Sequence, residues 1–386
     1  MRRYKDIEHP PFLKKMDIVE VTEGKTRFFV PKQDPHLQFP PGNSPVFYNP
    51  RMELSRDTTV LLLLTLRPES YLDAMGASGV RGLRVAREVG IPVTINDRNP
   101  MAVDLIRRNV GTADLRTEVT REDANVLMSS RRFDAVDLDP FGTPAPFVDS
   151  AARSAGRYLF VTATDTAPLC GAHLKAGMRR YFSCPRNTEY HAEVGLRTLL
   201  GFVVREVIKY DRGVEPLFCY AHEHFHRLHL RLRDGAAAAD RTLARIGYVM
   251  QCPHCLYRSE QVGMLPEPEE CTLCGANLVP VGPLWTGRIN DDRTLFEMQE
   301  ALPDVTAGTG PRITRLLETC RQELDTSSHY DYHVIAKTQR VSPGSIGTVI
   351  ERLSALGYRA SRAHYSGTAL KTDAPLPVLE DVISGG

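Results

Sequence analysis

The segment from Phe133 to Gly142 constrains the fold of this chain more than any other. It reads Phe-Asp-Ala-Val-Asp-Leu-Asp-Pro-Phe-Gly, an apolar and acidic run of strand length that ends abruptly. Pro140 has no N–H group and cannot continue a central ladder, so the strand should stop at Asp139. A carboxylate, a proline carbonyl and the ring of Phe141 are therefore expected together at a strand end. A plain strand that ends in a turn is the structural alternative.

Such a strand end can hold a planar amino group. The carboxylate and the carbonyl accept its two N–H bonds, while the aromatic ring stacks on the base that carries it. An amino nitrogen on a base is a poor nucleophile, because its lone pair is delocalised into the ring. Two acceptors on its hydrogens favour a tetrahedral geometry that can attack. The segment therefore indicates chemistry on the amino group of a nucleobase.

A glycine-rich segment lies upstream, between a short strand and a helical pattern. Asp73 ends the strand, and Gly76, Gly79 and Gly82 follow at intervals of three residues. Glycines allow a tight turn and let a ligand approach the backbone closely. No Lys-Ser or Lys-Thr pair follows them, which argues against a phosphate-binding loop. A nicotinamide dehydrogenase would share the glycines but would not need Asp-Pro-Phe-Gly on a later strand.

Two further acidic residues follow candidate strands. Asp97 follows Gly79 at close to the roughly 20-residue separation at which a carboxylate binds ribose hydroxyls in nucleotide-binding βαβ folds. Asp123 follows the next candidate strand, and helical patterns come after both acids. A helix cap could explain any one of them, whereas a cofactor site explains the whole series. The alternation of strands and helices predicts an α/β, Rossmann-like domain.

This order of parts resembles a class I S-adenosylmethionine-dependent methyltransferase. More narrowly, the chain is similar to the tRNA guanine-26 N2-dimethyltransferase family, and its compact length resembles the archaeal members. The similar stretches are 23–25, 45–52, 78–82, 139–144, 162–171 and 191–197. Thr166 departs from the family pattern, where a glycine is expected, and Met75-Gly76-Ala77 varies the usual run of small residues.

The resemblance implies two successive methyl transfers from S-adenosyl-L-methionine to the exocyclic N2 of guanine 26 in tRNA. It implies that Asp139, with Pro140 beside it, accepts from the amino group and that Phe141 stacks on the base. Because guanine 26 lies at the junction of two tRNA arms, the base must turn out of its stack to react.

The resemblance also implies a set of cofactor-binding residues. Arg51 and Arg81 are expected near the methionine carboxylate, Asp97 at the ribose hydroxyls, and Asp123 with the Ala124 backbone at the adenine. The predicted set is Arg51, Asp73, Gly76, Gly79, Arg81, Asp97, Asp123 and Ala124. Two rival functions stay open at this point, an amino-methyltransferase acting on DNA adenine N6 and a non-catalytic RNA-binding relative.

Four of the eight cysteines form two Cys-x-x-Cys pairs, Cys252 with Cys255 and Cys271 with Cys274. This spacing is typical of a tetrahedral zinc site made of two thiolate knuckles. Four protein ligands leave no open coordination position, so the sequence predicts a structural zinc ion. Disulfides or free thiols are the alternatives.

Composition indicates a soluble globular protein that acts in the cytoplasm. Hydrophobic residues make up 42% of the 386 residues, and charged residues 25%. No apolar run is long enough to span a membrane, and the N-terminus does not read as a signal peptide. The net charge of +1 requires that any contact with tRNA come from local basic patches. We expect a monomer.

The sequence predicts three regions. An N-terminal extension over 1–67 holds a hairpin and a helix, a methyltransferase domain covers 68–212, and a smaller α+β domain that binds tRNA covers 213–386. The last contains the zinc site within 252–274 and a winged-helix-like segment over 310–375, built from three helical patterns and a hairpin. Strict alternation over 227–233 predicts a strand with leucines inward and a basic face outward, and residues 235–240 are expected to form a turn.

Overall fold

The computed structural model describes residues 17–32, 44–113, 115 and 117–385. Contacts divide the chain into two compact units. The first unit is built from the described residues up to Asp139, together with 153–157 and 300–313. The second unit is built from 140–152, 158–299 and the described residues from 314 onward.

A parallel sheet with flanking helices forms the centre of the first unit. Its strands lie in the order β5-β4-β3-β6 and all run in the same direction. The elements up to this point of the chain are β1 (Ile18–Glu23), β2 (Thr26–Pro31), α1 (Glu53–Leu66), β3 (Tyr71–Asp73), α2 (Val80–Arg84), β4 (Val93–Asn96), α3 (Pro100–Ala113), β5 (Thr117–Thr120), α4 (Ala124–Ser130) and β6 (Phe133–Leu138).

The central strands of this sheet are short and buried. Tyr71 pairs in register with Val93 of β4 on one side and with Ala135 of β6 on the other. Burial of both faces explains why β3 and β4 do not alternate between apolar and polar residues. β6 stops at Leu138, one residue before Asp139, as the proline predicts. The carboxyl ends of β3, β4 and β6 therefore meet at one edge of the sheet.

The second unit contains two separate antiparallel sheets, with strand orders β11-β10-β12 and β13-β15-β14, and the antiparallel run of strands β7-β9-β8. The remaining elements of the chain are α5 (Val148–Ser154), β7 (Ala155–Ala163), α6 (Thr166–Leu169), α7 (Leu174–Tyr181), α8 (His191–Ile208), β8 (Arg212–His222), β9 (Phe225–Asp234), α9 (Ala236–Leu243), β10 (Ile246–Gln251), β11 (Arg258–Val262), β12 (Val279–Trp285), α10 (Asp292–Ala301), α11 (Gly310–Gln322), β13 (Tyr330–Asp331), α12 (Tyr332–Gln339), α13 (Ile346–Ala355), β14 (Ala360–Arg362), β15 (Ala369–Thr372) and α14 (Leu376–Ser384).

The predicted fold class is confirmed. The first unit has the parallel α/β sheet of a Rossmann-like domain, and the four paired cysteines flank the β11-β10-β12 sheet. The end of the chain has the helices α11, α12 and α13 and a paired β14-β15 hairpin, which is the winged-helix-like pattern. The helix α14 follows the hairpin and packs in the same apolar core as α12 and α13.

Two local predictions were wrong. Residues 236–243 form α9 rather than a turn, because its run of alanines has the highest helix propensity of any residue type. The face of β9 that was predicted to be basic and outward is partly buried. Arg227 is fully buried and donates to the Thr162 hydroxyl at 2.8 Å and to His229. Only Arg231 and Arg233 keep exposed surface.

Candidate active site

The glycine loop after β3 is shaped by close backbone packing. The Gly76 N–H donates to the Asn96 carbonyl at 2.8 Å, and a β-carbon on Gly76 would collide with the Ile95 side chain. Gly79 has a φ of +82°, a left-handed conformation that favours glycine, and α2 begins directly after it. Both glycines are therefore needed to bring the loop against the end of β4.

Asp97 is held against this loop by both of its carboxylate oxygens. Oδ2 accepts from the Ala77 N–H at 2.9 Å, and Oδ1 accepts from the Asn99 N–H at 2.8 Å. The Asn99 side chain in turn accepts from the Met101 N–H at the start of α3. Asp97 therefore links the end of β4 to the glycine loop, which a simple helix cap would not do.

Asp123 and Arg51 occupy different surroundings. Asp123 is the N-cap of α4, and its Oδ1 accepts from the Asn125 N–H at 2.9 Å. The neighbouring Ala124 is buried. Arg51 is exposed within a short 3-10 turn whose start is capped by the Asn49 side chain. The helix-cap alternative thus applies to Asp123. This role does not exclude a contact between a ligand and the backbone of Ala124, which follows the cap.

Arg81 is buried and joins α1 to the end of β6. Its guanidinium donates to Asp139 Oδ2 at 2.5 Å and to the Thr59 hydroxyl at 2.8 Å, and it lies 3.9 Å from Asp137 Oδ2. Burial alone would lower the pKa of Arg81, but Asp139 and Asp137 raise that pKa above its usual range. Arg81 therefore stays charged and fixes one oxygen of Asp139.

Asp73 completes a buried acidic cluster around this arginine. Its Oδ2 accepts from the Gly82 N–H at 3.0 Å. Burial raises the pKa of Asp73 to about 7; Asp137 adds to the rise, while Arg81 opposes it. Asp137 accepts from the Tyr71 hydroxyl at 2.7 Å. Three carboxylates thus surround one arginine, which favours the binding of a cation at this sheet edge.

Sequence reasoning missed Asp137 and Tyr71. An acidic residue inside a buried parallel strand is itself a signal, because charged residues are almost never fully buried without a partner. Asp137 is fully buried, and it lies two residues before Asp139 on the same strand.

The residues after Asp139 belong to the second unit. Phe141 is 85% exposed, and Gly142 follows with a φ of +91°. The backbones of Gly142 and Thr164 are joined, since the Thr164 N–H donates to the Gly142 carbonyl at 3.0 Å. The Gly142 N–H donates to the Thr164 hydroxyl at 2.8 Å. A large aromatic ring held at the surface by a fixed turn can stack on a planar ligand.

The four paired cysteines come together in the second unit. Cys252 Sγ lies 3.5 Å from Cys274 Sγ, and Cys255 Sγ lies 3.6 Å from Cys271 Sγ. All four sulfur atoms lie within 4.8 Å of one another. Zn–S bonds of about 2.3 Å in a tetrahedron place sulfur atoms just under 4 Å apart. The arrangement fits a four-thiolate metal site.

Three features define the class of protein. The central strands are parallel, a glycine loop follows β3, and an acidic residue follows each of the strands β4, β5 and β6. Together these features are those of the class I methyltransferase fold. Among the helices of the described residues, none is both long and apolar enough to cross a lipid bilayer.

Comparison with known proteins narrows the class to a family. The family model described as N2,N2-dimethylguanosine tRNA methyltransferase matches residues 24–384. The tRNA (guanine(26)-N(2))-dimethyltransferase of Methanoculleus marisnigri is 85% identical over 371 residues, which are 96% of this chain and 100% of that protein. The protein of the same name from Methanosphaerula palustris is 62% identical over 369 residues, again 96% and 100% of the two chains.

A solved structure agrees with the sequence comparisons. Trm1 from Pyrococcus horikoshii, in complex with S-adenosyl-L-methionine, is similar with a TM-score of 0.86 and 36% sequence identity. The similarity covers 95% of this chain and 100% of that chain. The chain belongs to the N2,N2-dimethylguanosine tRNA methyltransferase family, and the resemblance read from its motifs is confirmed.

Proposed function

We propose that this chain transfers two methyl groups from S-adenosyl-L-methionine to the exocyclic N2 of guanine 26 in tRNA, giving N2,N2-dimethylguanosine. The observation that carries the proposal is the end of β6. There Asp139, with one oxygen held by Arg81, is followed by Pro140 and the exposed ring of Phe141. β6 pairs with β3, from which the glycine loop begins. Family membership gives the same activity independently.

The cofactor is assigned to the edge of the sheet formed by β3, β4 and β6. Asp97 is assigned to the ribose hydroxyls, because two vicinal hydroxyls suit one bidentate acceptor. Asp123 and the Ala124 backbone are assigned to the adenine. The methionine end is assigned to Arg51, Asp73 and Arg81, with Gly76 and Gly79 giving backbone access. When bound, the cofactor supplies an activated methyl group on a sulfonium.

Asp139 and Pro140 prepare the guanine amino group for attack. With Oδ2 held by Arg81, Asp139 Oδ1 is the oxygen assigned to one amino hydrogen, and the Pro140 carbonyl is assigned to the other. In each transfer, N2 forms a bond to the methyl carbon, the carbon–sulfur bond breaks, and the N–H proton passes to Asp139. The monomethylated base keeps one N–H, so Asp139 serves the second transfer once it has released the first proton to solvent. Positioning supplies most of the rate enhancement.

The cysteine cluster is assigned to one structural zinc ion held by Cys252, Cys255, Cys271 and Cys274. Backbone geometry supports thiolates there, because the N–H groups of His254 and Cys255 both point at Cys252 Sγ from 3.4 Å. Gly275 turns the second knuckle with a φ of +71°. The ion would order the β11-β10-β12 sheet, and no step of methyl transfer passes through it.

The tRNA backbone is assigned to basic surfaces of the second unit. A cleft of about 390 Å³ is lined by four arginines, Arg233, Arg241, Arg245 and Arg288, together with Glu215, Asp291 and Asp325. Arg233 pairs with Glu215 at 3.0 Å, and Arg288 lies 3.8 Å from Asp325. Among the described residues, no ion pair is formed by the side chains of Arg241 and Arg245, so these two are best able to bind phosphate. The exposed arginines of the β14-β15 region, Arg359 and Arg362, are a second candidate surface.

The proposed activity is tested by incubating the protein with methyl-labelled S-adenosyl-L-methionine and an unmodified tRNA transcript, followed by nucleoside analysis. We expect N2,N2-dimethylguanosine as the product, located at position 26. Double-stranded and single-stranded DNA in parallel reactions test the adenine N6 alternative. Label in N6-methyladenine, or cofactor binding with no label in any nucleic acid, would contradict the proposal and support one of the two rival functions.

A further inference from the structure

Helix α7 carries a line of exposed apolar side chains. Leu174, Met178 and Phe182, the last at the C-cap, are 43%, 46% and 70% exposed. Residues four apart on a helix lie one above the other, so these three form a single ridge. Isolated exposed apolar residues are normal, but a continuous ridge marks a binding surface.

The opposite face of α7 packs against the core of the second unit. Gly177 and Tyr181 are buried, and a β-carbon on Gly177 would lie 2.7 Å from the Pro168 carbonyl. The Tyr181 ring packs edge-on against Phe202, with ring centroids 5.5 Å apart. Arg205 donates to the carbonyls of Tyr181 and Phe182 and so fixes the end of the helix. The ridge is therefore rigidly presented and is not a core face left uncovered.

The same helix is tied to the turn that follows the proposed catalytic residue. The Thr143 and Tyr181 hydroxyls lie 2.7 Å apart, and the Tyr181 hydroxyl donates to Asp165 at 2.6 Å. Thr143 directly follows Gly142, whose backbone pairs with Thr164. Two short hydrogen-bonded connections thus link α7 to the segment that carries Phe141. A polymer whose base reached Phe141 would pass close to α7.

The charges beside the ridge favour a nucleic acid as the occupant. Lys175 and Arg179 are exposed, and each follows a ridge residue by one position. Arg186 is exposed a few residues further on. Arg180 is instead paired with Asp165 at 2.9 Å. An apolar ridge bordered by cations matches the way in which proteins insert a wedge between bases while they hold the adjacent phosphates.

We propose that α7 is the wedge that opens the tRNA stack at position 26. Met178 and Phe182 occupy the space that the guanine leaves when it turns out, while Lys175 and Arg179 bind the flanking phosphates. This inference rests on the proposed function and adds the residues that expose the base. Unstacking a paired or stacked base costs free energy, and contacts made only in the opened state offset that cost.

The wedge is tested with tRNA that carries 2-aminopurine at position 26, because this base fluoresces more strongly when it is unstacked. Wild type should raise the fluorescence on binding. The double variant Met178→Ala, Phe182→Ala should reduce that rise and should slow single-turnover methylation of guanine-26 tRNA by about tenfold or more. Phe296→Ala, which removes an aromatic ring that is 50% exposed on α10, is the matched control and should behave as wild type.

The basic side chains need a separate variant. Lys175→Ala, Arg179→Ala should weaken binding of all tRNAs and lower the slope of log affinity against log salt by roughly 1 for each phosphate that the protein no longer neutralises. Arg293→Ala removes an exposed arginine of α10 that is paired with Glu297 and serves as the control. Thermal unfolding followed by circular dichroism, with the wild-type midpoint in every variant, establishes that the variants fold.

Two outcomes would overturn the wedge. The first is a wild-type fluorescence rise and methylation rate in the apolar double variant. The second is a change in the oligomeric state of the apolar double variant while its methylation rate stays at the wild-type value. That result would make the ridge a contact between copies of the chain. Either result would leave the proposed function standing if wild type still methylates guanine 26. Failure of wild type to methylate any tRNA would instead contradict the proposed function itself.

Discussion

Asp139, at the end of β6, is the residue to which we assign the chemistry of methyl transfer rather than the binding of the cofactor. Asp139 meets Arg81 through one oxygen and is 24% exposed, whereas Asp73 and Asp137 are buried. The sequence identified Asp139 because Pro140 stops the strand there. It did not identify the Arg81 contact, because side chains 58 positions apart meet only in the folded sheet.

Asp139→Asn should abolish methyl transfer while it leaves cofactor affinity nearly unchanged. Asparagine keeps the shape and an acceptor for Arg81, but it cannot take the amino proton. Loss of an interaction made mainly in the transition state costs roughly 3–4 kcal/mol, a rate decrease of about a hundredfold or more. Single-turnover rates and calorimetry measure the two effects, and Asp149→Asn, at an exposed carboxylate on α5, is the control. Turnover within a few-fold of wild type would refute the assignment.

The affinity for S-adenosyl-L-methionine should rise with pH through about 7. Burial raises the pKa of Asp73 to about 7, so its carboxyl is neutral below that pH and ionised above it. A cationic ligand binds the ionised form better, so binding releases a proton and gains affinity as pH increases. Asp73→Asn should bind more weakly and should not show this dependence between about pH 6 and 8. An unchanged pH profile in the variant would place the cationic end of the cofactor elsewhere.

At the scale of elements, the sequence predicted those helices and strands whose formation depends on residues close together in the chain. The hairpin β1-β2, the helix α1 and the strand β9 all follow from periodicity and turn residues near them. The direction of the Arg227 side chain could not be predicted in this way, because its hydrogen-bond partner Thr162 lies on another strand. The exposure of the α7 ridge could not be predicted either, because apolar residues at helical spacing ordinarily indicate a face packed in the core.

Removal of one thiolate should unfold the small sheet that carries the cysteines. Cys274→Ser should abolish stoichiometric zinc and lower thermal stability, because metal binding contributes directly to folding of such a site. The affinity for S-adenosyl-L-methionine should not change, since the residues that we assign to the cofactor lie in the first unit. Cys184→Ser, at an exposed cysteine outside the cluster, is the matched control. Protein purified without chelator that contains no zinc by metal analysis would exclude the site.

Neutralisation of the arginine-lined cleft should weaken tRNA binding without a change in the position that is methylated. Arg241→Ala, Arg245→Ala removes two cations, and the salt slope should fall by roughly 1 for each phosphate that these side chains neutralise in wild type. Backbone contacts orient the RNA but do not read bases. Arg359→Ala, Arg362→Ala tests the β14-β15 surface in the same assay. A wild-type slope in the first variant and a reduced one in the second would move the RNA-binding surface to the C-terminal region.

At the scale of the whole molecule, buried charge pairs contribute to the stability of the second unit. Lys371 is buried and lies 2.8 Å from Glu193 and 2.9 Å from Glu323. Burial alone would raise the pKa of Glu323, but Lys371 and His364 lower it to about 2. A lowered carboxyl pKa stabilises the fold above the unfolded value of 4.5, and this stabilisation is lost as pH falls from 4.5 towards 2.

Lys371→Met should therefore destabilise the protein by about 3–5 kcal/mol at neutral pH, because Glu323 loses its buried lysine and Glu193 keeps only its ion pair with Arg197. The difference from wild type should narrow as the carboxyls become protonated in acid. Lys209→Met is the control, because that lysine also contacts two carboxylates, Asp149 and Glu206, but is 45% exposed. Exposed pairs contribute about 0–1 kcal/mol. Urea unfolding at several pH values measures both variants, and equal destabilisation would contradict the role of burial.

The most direct test concerns the atom that accepts the methyl group. Inosine at position 26 has the same ring as guanosine but lacks the 2-amino group, so it removes only the proposed acceptor. With saturating S-adenosyl-L-methionine, wild-type protein should incorporate two methyl groups per guanine-26 tRNA and none into the inosine-26 tRNA, while both tRNAs bind. Methyl incorporation at inosine 26 itself, located by nucleoside analysis, would show that the strand end at Asp139 does not act on an amino group.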